Sequence, residues 1–481
     1  MSKVEKFRFR QKDLEETLLD KIAYFRCEHE EFMAHGTVII GNGIAGITAA
    51  REMRKISNQR IQVISIETPY FFSRTALMYV YMGHMKFEHT QPYENWFWEK
   101  NRIELVQSLV EKVIPEKNEL LLSTGEIISY DQLLIATGSK TQYFNWKGMN
   151  SKGVQGLYSF QDLQQLEKNT PKPFQKDHPT RKAIVIGAGL IGVELAEMLS
   201  TRDIEVTMIV REKTFWNEVL TPAEATEIGL HIESHGIKLL FESELDEVLS
   251  DHSGKVRAIR TTKGKELECQ LVGIATGVVP NIDFLKETGI EVDKGILVNE
   301  YLETNTPNIY AAGDCAQLRE ALPGRKPIEA VWYVGRMMGE VAGANLAGKK
   351  TVYKPGVWFN SAKFFDIEYQ TYGNVMAIAF GQQEQFFWKV KGKNKFMTIA
   401  WDKETEVFLG INTFGIRLRH EYFNNVLKKK MTVGEVMGGM GIANFDPELY
   451  IKWDRALLHD FTMSTGIEIR KPNRLKKLLQ R

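Results

Sequence analysis

The run Gly41-Asn42-Gly43-Ile44-Ala45-Gly46 follows a short apolar segment, Thr37–Ile40, and opens a stretch with helical apolar spacing. Glycines at this spacing, between a strand and a helix, suit a pyrophosphate. Gly41 would make the turn, Gly43 would let the backbone approach the phosphates, and Gly46 would let the helix pack close to the strand. The N–H groups of the first turn, from Ile44 and Ala45 onward, sit at the positive end of the helix and would hold the anion. A second apolar segment, Ile61–Ile66, ends in Glu67. That is the place, about 20 residues past the glycines, where a carboxylate accepts hydrogen bonds from an adenosine ribose.

The arrangement recurs. Gly187-Ala188-Gly189-Leu190-Ile191-Gly192 follows Ala183–Ile186, and the next apolar segment is Ile204–Ile209. Two such motifs in one chain point to two dinucleotides and to electron transfer between them. The second copy differs where the first has Glu67: the matching position is Val210, followed by Arg211, Glu212 and Lys213. Arg211 could pair with a 2′-phosphate, favouring NADPH over NADH, although Glu212 would repel that phosphate. Arg211 could equally be a solvated strand-end residue. Glu194, two residues past Gly192, reads as a first-turn acid. It either favours the helix dipole or lies near the nicotinamide end of the cofactor, and it is the one candidate catalytic side chain.

These motifs need parallel sheets with helices on both faces to position them. At 481 residues the chain is long enough for roughly two to four domains. Its 43% hydrophobic and 26% charged residues are those of a folded globular protein. The net charge of +1 gives no reason to expect nucleic acid or a membrane surface as partner. No apolar run is long enough for a membrane span, and the charged N-terminus has no apolar signal core, so a cytoplasmic location is expected. Cys27, Cys269 and Cys315 form no CxxC or CxxxxC pair, which argues against a disulfide scaffold, a Cys-only zinc site or an iron–sulfur cluster on this chain. No HExxH or comparable metal spacing is read among the histidines, so no metal is expected.

Four further segments carry a resemblance. Tyr130-Asp131-Gln132-Leu133-Leu134-Ile135-Ala136-Thr137-Gly138-Ser139 and Leu271-Val272-Gly273-Ile274-Ala275-Thr276-Gly277 share an Ala-Thr-Gly ending. Thr306-Pro307-Asn308-Ile309-Tyr310-Ala311-Ala312-Gly313-Asp314 ends in an AAGD box, and Glu329-Ala330-Val331-Trp332-Tyr333 leads toward Gly339. In this order they resemble the two-dinucleotide-binding-domain flavoproteins of the pyridine nucleotide-disulfide oxidoreductase superfamily. The resemblance covers about residues 36–356. It implies two Rossmann-like, doubly wound α/β domains, the second inserted in the first, and a C-terminal α+β interface domain. It also implies FAD at Val113, Ala136, Thr137, Gly138, Gly313, Asp314 and Trp332 besides the first motif, and NAD(P)H at Thr276 and Gly277 besides the second. Asp314 would bond the FAD ribityl chain. Within the superfamily the chain looks closer to the ferredoxin, rubredoxin and nitrite reductase-like and apoptosis-inducing-factor-like branch. The segment where disulfide reductases carry CxxxxC is Pro69–Tyr79 here and holds no cysteine. It resembles PYxRPPLSK, with Arg74 at the arginine and Leu77 at the leucine, but Tyr79 stands at the lysine position.

The expected division is a charged helical extension over 1–35, an FAD domain over 36–155 and 290–356, an NAD(P)H domain over 156–289, and a β-rich interface domain with a helical basic tail over 357–481. Thr170-Pro171-Lys172-Pro173 reads as a stiff linker, and Gly438-Gly439-Met440-Gly441 as a turn. The basic end, Arg470–Arg481, is either a solvated terminus or a docking patch for an acidic electron-transfer partner. Lys389, Lys391, Lys393 and Lys395 are either a second patch or strand-edge lysines. The resulting expectation is an NAD(P)H oxidoreductase: hydride passes from NAD(P)H to FAD N5, and electrons pass on to an iron–sulfur or rubredoxin-like protein or a small acceptor. The alternatives are an apoptosis-inducing-factor-like interaction protein with redox-controlled assembly and a subunit of an electron-transfer complex. The aromatic-rich third domain makes a homodimer plausible.

Overall fold

The computed structural model describes residues 35–172, 179–322, 324–379, 381–445 and 453–470. The N-terminal extension apart from His35, with Cys27 in it, the linker residue Pro173, and the basic run after Arg470 lie outside the described residues.

The chain begins with β1 (Thr37–Ile40), α1 (Ile44–Ile56), β2 (Ile61–Ile64), β3 (Ile103–Val106) and β4 (Gln132–Ile135). It then moves into a second unit. This is built from β5 (Val154–Gly156), α2 (Phe160–Asn169), β6 (Lys182–Ile186), α3 (Leu190–Ser200), β7 (Glu205–Ile209), α4 (Pro222–Ser234), β8 (Lys238–Leu240) and β9 (Leu271–Ile274). It returns through β10 (Ile309–Ala311) and α5 (Trp332–Leu346). The first sheet has the order β10-β4-β1-β2-β3 and the second β5-β9-β6-β7-β8, with every pairing parallel. The two orders match in space except that the edge strand comes last in the chain in the first sheet (β10) and first in the second (β5). Each places its glycine motif at the carboxyl end of the central strand, where ligands of open parallel sheets bind. β1 is buried along its whole length, as a strand covered on both faces must be. The division expected at 155/156 falls inside β5, which belongs to the second sheet.

The crossings between the units are braced. Ser139–Thr141 pairs antiparallel with Val278–Pro280. Thr137 Oγ1 donates to Asn281 O at 2.8 Å, and Thr276 Oγ1 donates to Gln142 O at 2.9 Å. Arg202, at the end of α3, adds a buried staple. Its guanidinium donates to the carbonyls of Thr170 and Tyr81 and lies 3.5 Å from the centre of the Tyr81 ring. Charge-assisted bonds of this kind contribute about 1.5–3 kcal/mol each.

α5 packs along α1. A side chain at Gly339 would meet Ala45 O at 2.4 Å, and one at Gly343 would meet Ala49 O at 2.5 Å, so small residues one turn apart let the helix backbones touch.

The third domain is an antiparallel sheet of β11 (Phe359–Phe364), β12 (Ile367–Gly373), β13 (Gln383–Lys389), β14 (Phe396–Asp402) and β15 (Phe408–Phe414), in the order β11-β12-β15-β14-β13. The helices α6 (His420–Lys428) and α7 (Asp454–Thr465) cover it. Trp453, Leu457 and Phe461 are buried against this sheet, and Trp388 Nε1 donates to Asp460 Oδ2 at 2.9 Å. Residues 433–443, expected to hold a glycine turn, are instead two short helices meeting at Gly439. Tyr422 presses so closely on Gly439 that a Cβ would lie 2.2 Å from its hydroxyl. Among the described residues no helix is long and apolar enough to cross a membrane.

Candidate functional site

The two glycine motifs have the same construction. A Cβ at Gly41 would lie 2.3 Å from Ala136 O, and one at Gly187 the same distance from Ala275 O. Both glycines also have positive φ, 109° and 110°. A Cβ at Gly46 or Gly192 would strike the carbonyl of the first glycine of its own motif, at 2.0 and 2.4 Å. These contacts are the close helix–strand approach expected of the third glycine. At Gly43 and Gly189, by contrast, a Cβ would meet nothing within 4 Å. Those two positions face open space, and each is the N-cap of a helix with no side-chain cap. Each motif therefore offers uncapped N–H groups to an anion.

A cavity of about 1070 Å³ lies over the first motif. Of the residues expected at FAD, Gly41, Gly43, Ile44, Ala45, Glu67, Arg74, Ala136, Thr137, Gly138, Gly313, Asp314 and Trp332 line it. Gly46 does not, because it packs on Gly41. Val113 does not either: it is buried in the core beneath the first sheet, and Val110 is the valine on the wall.

Glu67 is engaged within the protein. Arg74 Nη1 donates to its Oε1 at 2.7 Å, Arg74 Nη2 donates to Oε2, and the backbone N–H of Phe160 donates to Oε1 at 2.9 Å. A carboxylate has about four acceptor sites, so Glu67 retains room for a ribose hydroxyl. Arg74 also donates to Tyr158 O at 2.7 Å and lies over the Phe72 and Tyr158 rings.

Asp314 also lines the cavity, accepting from Ser139 Oγ at 3.2 Å and from the Tyr158 hydroxyl at 3.4 Å. Burial pushes its carboxyl up, while the Ser139 hydroxyl and the Arg74 charge oppose the shift. Tyr158, itself pushed up to about 12 by burial, was not legible as a site residue: it lies in no motif, two residues before α2 begins. Ser139–Tyr143, Val279 and Asn281 also line the cavity, so its wall includes the strands that cross to the second unit. Among the described residues no cysteine lines it. Cys315 is buried behind Asp314 with its thiol 3.4 Å from Ile135 O and from Ala312 O, and Cys269 is buried in the second unit with its thiol pushed up to about 12.

At the second motif Leu190 and Ile191 are the first residues of α3. Glu194 therefore stands in the second turn, not the first, and it does not line the cavity. Burial, and then the charge of Glu197, raise its carboxyl to about 7. Glu197 is 3.3 Å from Lys363 Nζ, a third-domain residue. That ammonium also lies 5.9 Å from the ring centre of Tyr79, the position where the resemblance places a lysine. Val210 is fully buried and offers no acceptor. Arg211 and Lys213 line a shallow pocket with Glu212, Glu242, Glu244 and Lys263, and Arg211 Nη2 is 2.8 Å from Glu212. Thr276 and Gly277 follow β9 directly.

Residues 35–339 match the family model described as pyridine nucleotide-disulphide oxidoreductase. The chain belongs to this family. It is similar to the NADH oxidase of Methanocaldococcus jannaschii, 29% identical over 393 residues that make up 79% of this chain and 85% of the relative. It is also similar to a rubredoxin-NAD(+) reductase of Acinetobacter baylyi, 29% identical over 60% of this chain and 74% of the relative. Its fold resembles that of an NAD-dependent persulfide reductase from A. fulgidus, with a TM-score of 0.77 at 22% identity over 89% of this chain and 84% of that one. The protein is an FAD-dependent NAD(P)H oxidoreductase of this family.

The residues present fit FAD. The cavity is at the upper end of the about 300–1,000 Å³ usual for ligand sites. Its floor is an uncapped helix N-terminus with an open glycine, and its wall carries the carboxylates of Glu67 and Asp314.

Proposed function

We propose that the chain oxidises NAD(P)H bound at the second motif and delivers the electrons to an acceptor protein with an iron–sulfur or rubredoxin-like centre, or to a small acceptor. Bound FAD supplies the hydride-accepting and electron-releasing chemistry. The chain's own work is to bind and align. The first helix N-terminus holds the pyrophosphate, Glu67 the adenosine ribose and Asp314 the ribityl chain. The crossing strands at Ser139–Thr141 and Val278–Pro280 fix the second motif against the cavity. Such alignment at near-attack distance is a large catalytic term. The observation that carries the reading is a dinucleotide-sized cavity walled by those crossings with no thiol along it. That supports electron transfer without a dithiol relay.

For the nucleotide, Arg211, Lys213 and Lys263 supply positive charge around the shallow pocket, against Glu212, Glu242 and Glu244. We infer use of both NADH and NADPH, with NADPH favoured through Arg211 once it leaves Glu212 for the 2′-phosphate. The test is anaerobic stopped-flow reduction of the holoprotein by each nucleotide, followed by mixing with a rubredoxin, a ferredoxin and small quinones. Loss of flavin absorbance with NAD(P)H and its rapid return with one acceptor class is the expected result. A flavin that neither nucleotide reduces refutes the reading.

A further inference from the structure

His231 and His235 are four residues apart on α4 and its C-cap, so both rings project from one helix face. This is the histidine spacing of HExxH with Ile232 at the glutamate position, so the expectation of no comparable metal spacing overlooked it; nothing in the sequence places a third ligand near it. The fold does. The hairpin β11–β12 turns through the two residues Phe365 and Asp366, and Asp366 lands on the histidine pair. Its Oδ1 is 2.8 Å from His231 Nε2 and 3.5 Å from His235 Nε2. The three ligand atoms lie within 4.8 Å of one another.

We infer that His231, His235 and Asp366 form a site for a divalent transition-metal ion of the zinc type, between the NAD(P)H domain and the third domain. Zinc binds imidazole nitrogen and carboxylate oxygen at about 2.0–2.2 Å, and three protein ligands plus water complete a tetrahedron. Ligand atoms around such an ion sit about 3.4 Å apart, so the 2.8 Å pair must open slightly while the 3.5 Å pair already fits, a shift the exposed Asp366 side chain can supply.

Three details point the same way. His231 Nε2 is buried, and the Asp366 carboxylate 2.8 Å away is the group it faces, the contact an ion would bridge. His235 Nδ1 is 2.9 Å from His231 O. A carbonyl only accepts, so Nδ1 carries the proton and Nε2 keeps its lone pair toward Asp366, the tautomer a metal-ligating imidazole needs. Phe365, which stacks on the His235 ring at 4.4 Å, holds φ at 55°, a region that costs a bulky residue energy. The strained turn aims Asp366 at the pair. On the far side of His231, Asn394 Nδ2 lies 3.5 Å from Nδ1, so metal binding through Nε2 requires this amide to turn and offer its oxygen to the Nδ1 proton.

The test uses tag-free, full-length holoprotein freed of metal by a chelator and titrated with zinc chloride in a calorimeter. One zinc ion binds per chain, and magnesium does not compete. His235→Gln and Asp366→Asn, both at accessible side chains, each weaken zinc binding by more than about a hundredfold, beyond the loss typical of an outer-shell partner. His252→Gln, in an exposed turn elsewhere, leaves it unchanged. Zinc raises the melting temperature of the wild type and not of the two site variants, whose metal-free melting temperatures match the wild type. Absence of stoichiometric zinc binding, equal binding of magnesium, or unchanged zinc affinity in both site variants overturns the proposal.

Discussion

Glu194 gives the sharpest quantitative expectation. Its carboxyl titrates near 7 because α3 buries it and Glu197 adds like charge close by. In the unfolded chain it reverts to about 4.3. Below that value the carboxyl is protonated in both states and does not affect stability. As pH rises from there to about 7 the unfolded chain loses the proton first, so the folded state loses stability. Above 7 both states are ionised and the full penalty stands. One unit of displacement is worth 1.36 kcal/mol, so the penalty is about 3 kcal/mol at pH 8. Glu194→Gln removes it at nearly constant shape. The variant should match the wild type at pH 4.5 and exceed it by about 3 kcal/mol at pH 8, several degrees in the melting of the second domain. The measurement is the difference in melting temperature between variant and wild type across that pH range, taken with FAD bound. A difference that stays flat with pH means that Glu194 is an ordinary solvated carboxylate, and the account of its environment falls. A difference that grows with pH, accompanied by unchanged flavin reduction at pH 8, keeps the account of its burial and removes Glu194 from the chemistry.

Gly43→Ala should fold normally, since its Cβ meets nothing, yet lower FAD occupancy by crowding the phosphates; Gly46→Ala, driven into Gly41 O, should instead lose stability with or without FAD. Flavin content and apoprotein melting separate the two. Glu67→Ala leaves the Arg74 charge partly buried without its carboxylate, so it should cost about 3 kcal/mol in apoprotein stability as well as FAD affinity, measured by denaturation and flavin release. Arg202→Ala should cost at least about 3 kcal/mol through its two carbonyl contacts, read in urea denaturation. Arg211→Ser should reduce kcat/KM for NADPH at least about tenfold more than for NADH, the size of one charge-assisted contact; equal losses would assign Arg211 to the surface.

Both nucleotide units were legible because their signals are local. A glycine at the turn, an open glycine and a packing glycine must fall at fixed steps wherever a strand feeds a helix against a phosphate, and positions 41, 43 and 46 repeat at 187, 189 and 192. Glu67 was legible by its distance from the motif, but its fixation by Arg74 and the Phe160 N–H was not, because that contact joins segments 93 residues apart in sequence. Val113 failed for the opposite reason. A valine on a strand beside a site faces either the cavity or the core, and here the cavity takes Val110. Tyr158 and Lys363 carried no signal at all, since a lone tyrosine or lysine acquires a role only from what the fold brings to it.

The same distinction decides what the third domain does. The family resemblance implied an interface sheet with a tail. In the structure its residues meet α4 at successive turns. Asn412 Nδ2 donates to the buried Glu224 carboxylate at 3.2 Å, Lys389 pairs with Glu227 at 2.6 Å, and Asp366 reaches His231. Positions 224, 227 and 231 are three and four apart, so they form one stripe on the helix. Glu224 is the acid of a capping box, accepting from the Thr221 N–H at 2.9 Å, yet the same oxygen also serves the third domain. With Glu197 held by Lys363, two helices of the NAD(P)H domain are tied to this sheet. Lys389 is therefore committed to a contact within the chain and leaves the set of free edge lysines. The sheet braces the nucleotide domain in the orientation that keeps the crossing strands, and the cavity they wall, in place.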